Sequence, residues 1–134
     1  MPLILEESES NLTPADLKQF EYENNVSLPE DFVTFYLNNN GGYLLESDDS
    51  NPFLLGGFLH IKYGRVPAEK HYHDLIEGFP ELRGLIPFAY DDGGNLFLIS
   101  TNLKDYGQVM VWLMDEKELD IVSGSFTSFI EELT

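Results

Sequence analysis

Apolar residues recur at helical spacing in three stretches of the chain. In the first stretch, Thr13 is a suitable capping residue and Pro14 suits the first helical position. The negative charge of Asp16 suits the dipole at the same end. The sequence therefore predicts a helix that begins near Pro14 and ends at Asn24–Asn25.

The second stretch carries aromatic residues at i, i+3 and i+4, which are Phe32, Phe35 and Tyr36. Ser27, with Glu30 three residues later, has the form of a capping box. Residues 38–42 contain asparagines and glycines, which are typical of a helix end. The first two helices are therefore expected to form a helical hairpin.

The third stretch lies at the carboxyl end of the chain. Ser125 is a suitable cap, and the apolar residues that follow it at i, i+3, i+4 and i+7 are Phe126, Phe129, Ile130 and Leu133. A further helix is expected over 68–77, closed by Gly78 and Pro80.

Between these helices the pattern changes to branched and aromatic runs separated by turn residues, which is typical of strands. The predicted strands are Tyr43–Glu46, Phe58–Lys62, Ile86–Tyr90, Leu96–Thr101, Gln108–Met114 and Leu119–Val122. The cluster Asp91–Asn95 predicts a hairpin turn. Trp112 lies within an apolar strand, which favours a buried side chain over a binding anchor. The sequence predicts an α+β fold in one domain over 1–134: an N-terminal helical hairpin, a mostly antiparallel twisted sheet and a C-terminal helix packed on it.

The charge of the chain is strongly acidic, with 24 acidic and 7 basic residues and a net charge of −17. Such a field repels nucleic acid and anionic membranes and favours a basic protein partner. An alternative interpretation is that the charge serves solubility alone.

Three features indicate a cytoplasmic protein. The chain has no cysteine, which excludes disulfides, thiol nucleophiles and cysteine-based zinc sites. Its first residues lack the basic start and long apolar run of a signal peptide. No segment approaches the ~20 apolar residues that span a membrane.

The histidines are the first candidates for chemistry. His71 and His73 are two residues apart, and on a helix such side chains point to different faces, so they do not converge on one metal. His60 lies farther upstream. We expect no metal site.

The acidic pairs Asp48–Asp49 and Asp91–Asp92 are the second candidates. Paired carboxylates can act as general acid and base or bind calcium, but neither pair has the spacing of a calcium loop. A turn role is the simpler interpretation for Asp91–Asp92. Both pairs also remain candidates for contact with lysine and arginine.

No motif in the sequence points to an enzyme. The glycine pairs lack the form of a phosphate loop, and the serines lack the context of an activated nucleophile. We expect a non-enzymatic protein without a cofactor. Tyr43, Tyr90 and Tyr106 lie near strand ends or turns, where tyrosine can contact a partner.

Three landmarks in order resemble a known family. They are Leu28–Phe32 with Asn40–Gly42, Ile86–Ala89 with Gly93–Asn95, and Val109–Met114 followed by an acidic turn and a terminal Ser-Phe-x-x-Phe helix. This order resembles the SUKH superfamily over most of the chain, from Leu12 to about Phe129. The family includes yeast regulators of cell-wall synthesis and many bacterial toxin-immunity proteins.

The resemblance implies a protein-binding module. The short chain is similar to the bacterial members, which implies an immunity protein that neutralises a cognate toxin, often a nuclease, by occlusion. Because a nuclease cleft is basic, we expect the contact surface at Asp48, Asp49, Asp91 and Asp92, with Tyr43 and Tyr90 as anchors. Two alternatives are a regulatory scaffold of the yeast kind and a small enzyme that uses the paired aspartates or His71 and His73.

Overall fold

The computed structural model describes residues 5–44 and 52–133. Its centre is a seven-stranded sheet in which every strand is antiparallel to the next, in simple chain order. The strands are β1 (Leu5–Glu6), β2 (Gly42–Leu44), β3 (Leu55–Phe58), β4 (Leu85–Asp91), β5 (Leu96–Ser100), β6 (Val109–Leu113) and β7 (Glu118–Ser123). Asp48 and Asp49 lie outside the described residues.

Four α-helices accompany the sheet: α1 (Pro14–Asn24), α2 (Glu30–Asn38), α3 (Ala68–Gly78) and α4 (Phe126–Glu132). Two short 3₁₀ turns cover Pro80–Leu82 and Leu103–Asp105. The predicted α+β fold is confirmed, with two consecutive helices between β1 and β2, a third between β3 and β4, and one helix after β7. In the described ranges, no helix is long and apolar enough to cross a membrane.

The start of α1 follows the sequence prediction. The Thr13 hydroxyl accepts a hydrogen bond from the Asp16 amide at 3.1 Å, and the Asp16 carboxylate accepts one from the Thr13 amide at 2.9 Å. This reciprocal capping box satisfies two amides that the helix leaves without partners. Ser125 caps α4 in the same way, because its hydroxyl accepts from the Ser128 amide at 3.1 Å.

Helix α2 begins at Glu30, within the predicted opening Ser27–Glu30, but the predicted serine cap is wrong. Pro29, not Ser27, stands at the N-cap position, and no side chain caps the helix there. Glu21 from α1 instead accepts the Leu28 amide at 2.7 Å, so the segment before α2 is tied to α1 rather than to a serine cap.

The strand prediction for Phe58–Lys62 is wrong beyond its first residue. The strand found there, β3, covers Leu55–Phe58, and the chain then leaves the sheet: the Ile61 amide donates to the Asn40 side chain at 2.8 Å and not to a neighbouring strand. The two-residue strand β1 was not predicted, since two residues carry no readable period.

The main core combines one face of the sheet with buried residues from all four helices. Phe88 is fully buried, and its ring lies 5.3 Å from Phe126 and 5.5 Å from Phe129, measured between ring centroids. Phe129 also lies 5.6 Å from Phe97 of β5. These contacts show α4 packed on the sheet, as the sequence predicted.

A smaller core covers part of the other face. It combines Leu75 of α3 and Leu82 of the following turn with β5 and β6, where Leu98 and Trp112 are buried. Because side chains alternate along a strand, Leu98 points away from Phe97 and Ile99, which belong to the main core. Trp112 is 3% exposed, so its predicted burial is confirmed.

Candidate functional site

One row of residues crosses the whole sheet on the face of the smaller core. The pairing of each strand with the next joins, in order, Glu6, Tyr43, Gly57, Tyr90, Leu96, Trp112 and Leu119. Directly paired residues share a face. The smaller core covers the part of this row at Leu96 and Trp112, whereas Tyr43, next to one end, and Leu119, at the other end, are exposed.

The two glycines of β3 make room for the tyrosines. A Cβ on Gly56 would stand 2.7 Å from a carbon of the Tyr90 ring, so that ring lies against the strand. A Cβ on Gly57 would stand 2.8 Å from the Tyr90 hydroxyl and 3.2 Å from the Tyr43 ring. Both rings therefore border Gly57, where any larger residue would displace one of them.

Asp92 completes this group. Its carboxylate lies 3.6 Å from the Cβ position of Gly56, next to the Tyr90 ring, and its residue is exposed. We call Tyr43, Gly56, Gly57, Tyr90 and Asp92 the tyrosine site. The structure thus brings together Tyr43, Tyr90 and Asp92, three of the residues that the sequence analysis predicted to contact a partner.

Electrostatics are consistent with this proximity. Burial raises the pKa of the Tyr90 hydroxyl, and the neighbouring Tyr43 and Asp92 raise it further. The hydroxyl is therefore a neutral donor and acceptor near neutral pH.

Asp91 has a different role from Asp92. One of its carboxylate oxygens accepts from the Gly93 and Asn95 amides, both at 2.9 Å, and the other accepts from the Asn95 side chain at 3.0 Å. The carboxylate thus holds the hairpin turn together, which supports the turn interpretation of this residue.

Tyr106, the third tyrosine that the sequence analysis proposed for partner contact, is not part of the tyrosine site. The Tyr106 hydroxyl donates to the carbonyl of Ser27 at 2.9 Å, which ties the chain after β5 to the segment between α1 and α2.

The tyrosine site is suited to bind a cation carried by a protein partner. Exposed aromatic faces attract arginine and lysine, and a carboxylate beside them can pair with the same charge. Half-buried tyrosine rings also offer apolar area with few rotatable bonds. The site therefore has the chemistry of a binding surface for a basic residue.

The histidines have separate surroundings. His73 lies 2.8 Å from the Asn24 side chain, and His60 lies 3.3 Å from the carbonyl of Glu7. Burial lowers the pKa of the half-buried His71. Within the part of the chain that the structure describes, no three histidine or acidic side chains are grouped to hold a metal.

A second concave surface was not predicted. A groove of about 600 Å³ runs between α2 and α4, with Phe35, Phe126 and Ile130 among its lining residues. Asp31 bridges the two helices, because its carboxylate accepts from the Thr127 amide at 3.0 Å and hydroxyl at 2.9 Å. Helical spacing marks these apolar residues as core, but Phe35 and Ile130 are half-exposed in the structure, which the spacing does not predict.

Comparison with protein families gives one finding. A model of the SMI1 / KNR4 family (SUKH-1) matches residues 11–132, a range that contains all four helices, strands β2 to β7 and the whole tyrosine site. No curated protein matches the chain.

Proposed function

The chain belongs to the SMI1 / KNR4 family (SUKH-1), and from that membership we propose that it is an immunity protein that binds and neutralises a cognate protein toxin. The proposal includes a cytoplasmic location and inhibition without catalysis. The toxin domain that fits the charge best is a basic nuclease.

The observation that carries this proposal is the tyrosine site in a protein of net charge −17. The site presents Tyr43 and Asp92, both exposed, beside the half-buried Tyr90. A nuclease cleft must attract phosphate, so an acidic surface can enter it and occlude it. The acidic field also speeds the approach of such a partner.

Stoichiometry separates binding from catalysis. We expect nuclease activity of the toxin to fall linearly as the protein is added and to vanish at about one equivalent, because each inhibitor molecule occupies one cleft. Complete inactivation by a small fraction of an equivalent would contradict occlusion and favour the enzyme interpretation.

The partner is found by a pull-down from the native cell lysate, washed at low and high salt, with mass spectrometry of the bound proteins. A basic toxin domain that is retained at low salt and weakened at high salt is the expected result. The protein so identified is then expressed with and without this chain, and rescue of growth is the functional readout.

The site assignment is tested with a matched pair of variants. The double variant Tyr43→Ala/Asp92→Asn is expected to lose protection, since it removes an exposed ring and the neighbouring charge. The control Tyr22→Ala/Asp74→Asn makes the same two changes at exposed residues of α1 and α3, which contribute nothing to the site. Equal protection by both variants would contradict the assignment.

A regulatory scaffold is the second candidate function, because the family resemblance includes regulators of cell-wall synthesis. A housekeeping partner in cells that carry no toxin would favour it. In that case the negative charge serves solubility alone.

A further inference from the structure

The outer strand β7 leaves a sheet edge open. β7 pairs with β6 through residues 118–123 and is the last strand of the sheet in the described part of the chain. Residues 118–121 are all exposed, so no other described element covers them. A strand of six residues presents a row of backbone donors and acceptors that can pair with another chain.

Strand β7 carries exposed apolar side chains and lacks two residue types that commonly keep a sheet edge from pairing with another chain. Leu119 is 39% exposed and Ile121 is 70% exposed, and both are paired with residues of the smaller core, Trp112 and Met110. The two apolar side chains therefore extend that core onto the open surface. Lysine and proline, which commonly protect sheet edges, are absent from Glu118–Ser123.

The charge around the edge is negative. Residues 115–120 contain four carboxylates and one lysine: Asp115, Glu116, Lys117, Glu118 and Asp120. A second copy of this chain would bring the same carboxylates opposite each other, and like charges directly across a strand pair are destabilising. A basic strand would meet complementary charge instead.

From these three observations we propose that β7 is the docking edge for an extended segment of a partner protein that alternates basic and β-branched residues. The segment adds to the sheet as an eighth strand. Its β-branched side chains pack on Leu119 and Ile121, and its basic side chains pair with Glu118 and Asp120. The inference does not depend on whether the partner is a toxin.

A synthetic peptide tests the proposal without the natural partner. The probe has ten residues that alternate lysine and valine. A matched peptide carries N-methyl groups on two adjacent central residues, which removes one donor from each strand edge and keeps the charge. We expect the first peptide to slow hydrogen exchange of β7 amides, and the second to bind at least about tenfold more weakly.

Tryptophan fluorescence can show whether the peptide binds at β7. Trp112 is the single tryptophan and the direct cross-strand neighbour of Leu119. Its fluorescence is therefore expected to change when the probe binds. Equal affinity for the two peptides would show attraction by charge alone and would overturn strand addition.

A pair of double variants tests the surface. Leu119→Lys/Ile121→Lys is expected to abolish binding, because it removes the apolar contacts and adds two positive charges that repel the basic probe. Val66→Lys/Leu103→Lys adds the same charge at two other exposed apolar positions and is expected to keep most of the affinity. A urea titration verifies that both variants are folded. If Leu119→Lys/Ile121→Lys is unfolded, the single variant Ile121→Thr replaces it in the binding test.

Two results contradict the choice of surface or occupant. Unchanged binding by Leu119→Lys/Ile121→Lys, or by Ile121→Thr in its place, would show that the peptide binds to another surface. Concentration-dependent protection of β7 without peptide, with a dimer in sedimentation, would make a second copy the occupant.

Discussion

At the scale of single residues, the buried Tyr36 links helix α2 to the sheet. Its side chain is fully buried, and its hydroxyl lies 2.8 Å from the carbonyl oxygen of Leu59 and 3.1 Å from that of Phe88. Burial raises the pKa of this hydroxyl well above its usual value. The folded protein therefore keeps a proton that the unfolded chain releases above about pH 10.

This difference predicts a loss of stability in alkali. Because the folded pKa is the higher one, the Tyr36 contribution is complete below about pH 10 and falls above it by up to about 1.4 kcal/mol per pH unit. Tyr36→Phe removes the titrating group. We expect the difference in unfolding free energy between the native protein and Tyr36→Phe to shrink between pH 9 and 11 in urea titrations. A constant difference would contradict the prediction.

Asn40 is a second residue on which distant segments converge. Its side chain is 1% exposed, donates to the carbonyls of Ser10 and Ile61, both at 3.0 Å, and accepts the Ile61 amide at 2.8 Å. Asn40→Ala leaves these buried groups without a partner, so we expect a loss of about 2–3 kcal/mol in unfolding free energy. The control Asn38→Ala, at an exposed residue bonded within its own helix, is expected to cost less than about 0.5 kcal/mol.

The residue scale also shows what local sequence can predict. The Thr13 and Ser125 caps depend on neighbours three residues away, and both are present as predicted. Ser27 fails as a cap because the helix starts at Glu30, with Pro29 at the N-cap position, while Glu21, six residues before Ser27, holds the Leu28 amide. Contacts between distant segments, such as those of Asn40, have no local signal.

At the scale of elements, β3 determines how the tyrosine site is built. A Cβ on Gly57 would stand 2.8 Å from the backbone oxygen of Gly42, so alanine there would push β2 and β3 apart. We expect Gly57→Ala to lower the unfolding free energy by about 1–3 kcal/mol. Gly78, at the end of α3, has no atom within 4 Å of its Cβ position, and Gly78→Ala is expected to raise it by up to about 1 kcal/mol. Thermal denaturation of both variants is the measurement.

The strand register explains why the sequence predicted only part of the site. Tyr43 and Tyr90 were nominated separately, from their places near strand ends. The structure brings them together because each pairs with Gly57, and pairing partners depend on the turns and bulges between strands. The same register places Leu119 next to Trp112, which no periodicity within one strand predicts.

At the scale of the whole molecule, the excess of 24 acidic over 7 basic residues acts on folding and on binding in opposite directions. The folded state holds the carboxylates closer together than the unfolded chain, so their repulsion opposes folding. The same field attracts a basic partner. Dissolved salt weakens both effects, because it screens exposed charges beyond about 10 Å at 0.1 M.

Salt is therefore expected to stabilise the fold while it weakens association. The melting temperature should rise with sodium chloride and level off once screening is complete, whereas a continued rise would indicate a general salting-out effect. Glu116→Lys, in the exposed turn before β7, should melt higher than the native protein at low salt and lose that advantage at high salt. Glu116→Asp keeps the charge and serves as the control. An advantage of Glu116→Lys that persists at high salt would point to a local contact, and repulsion across the molecule would not be its cause.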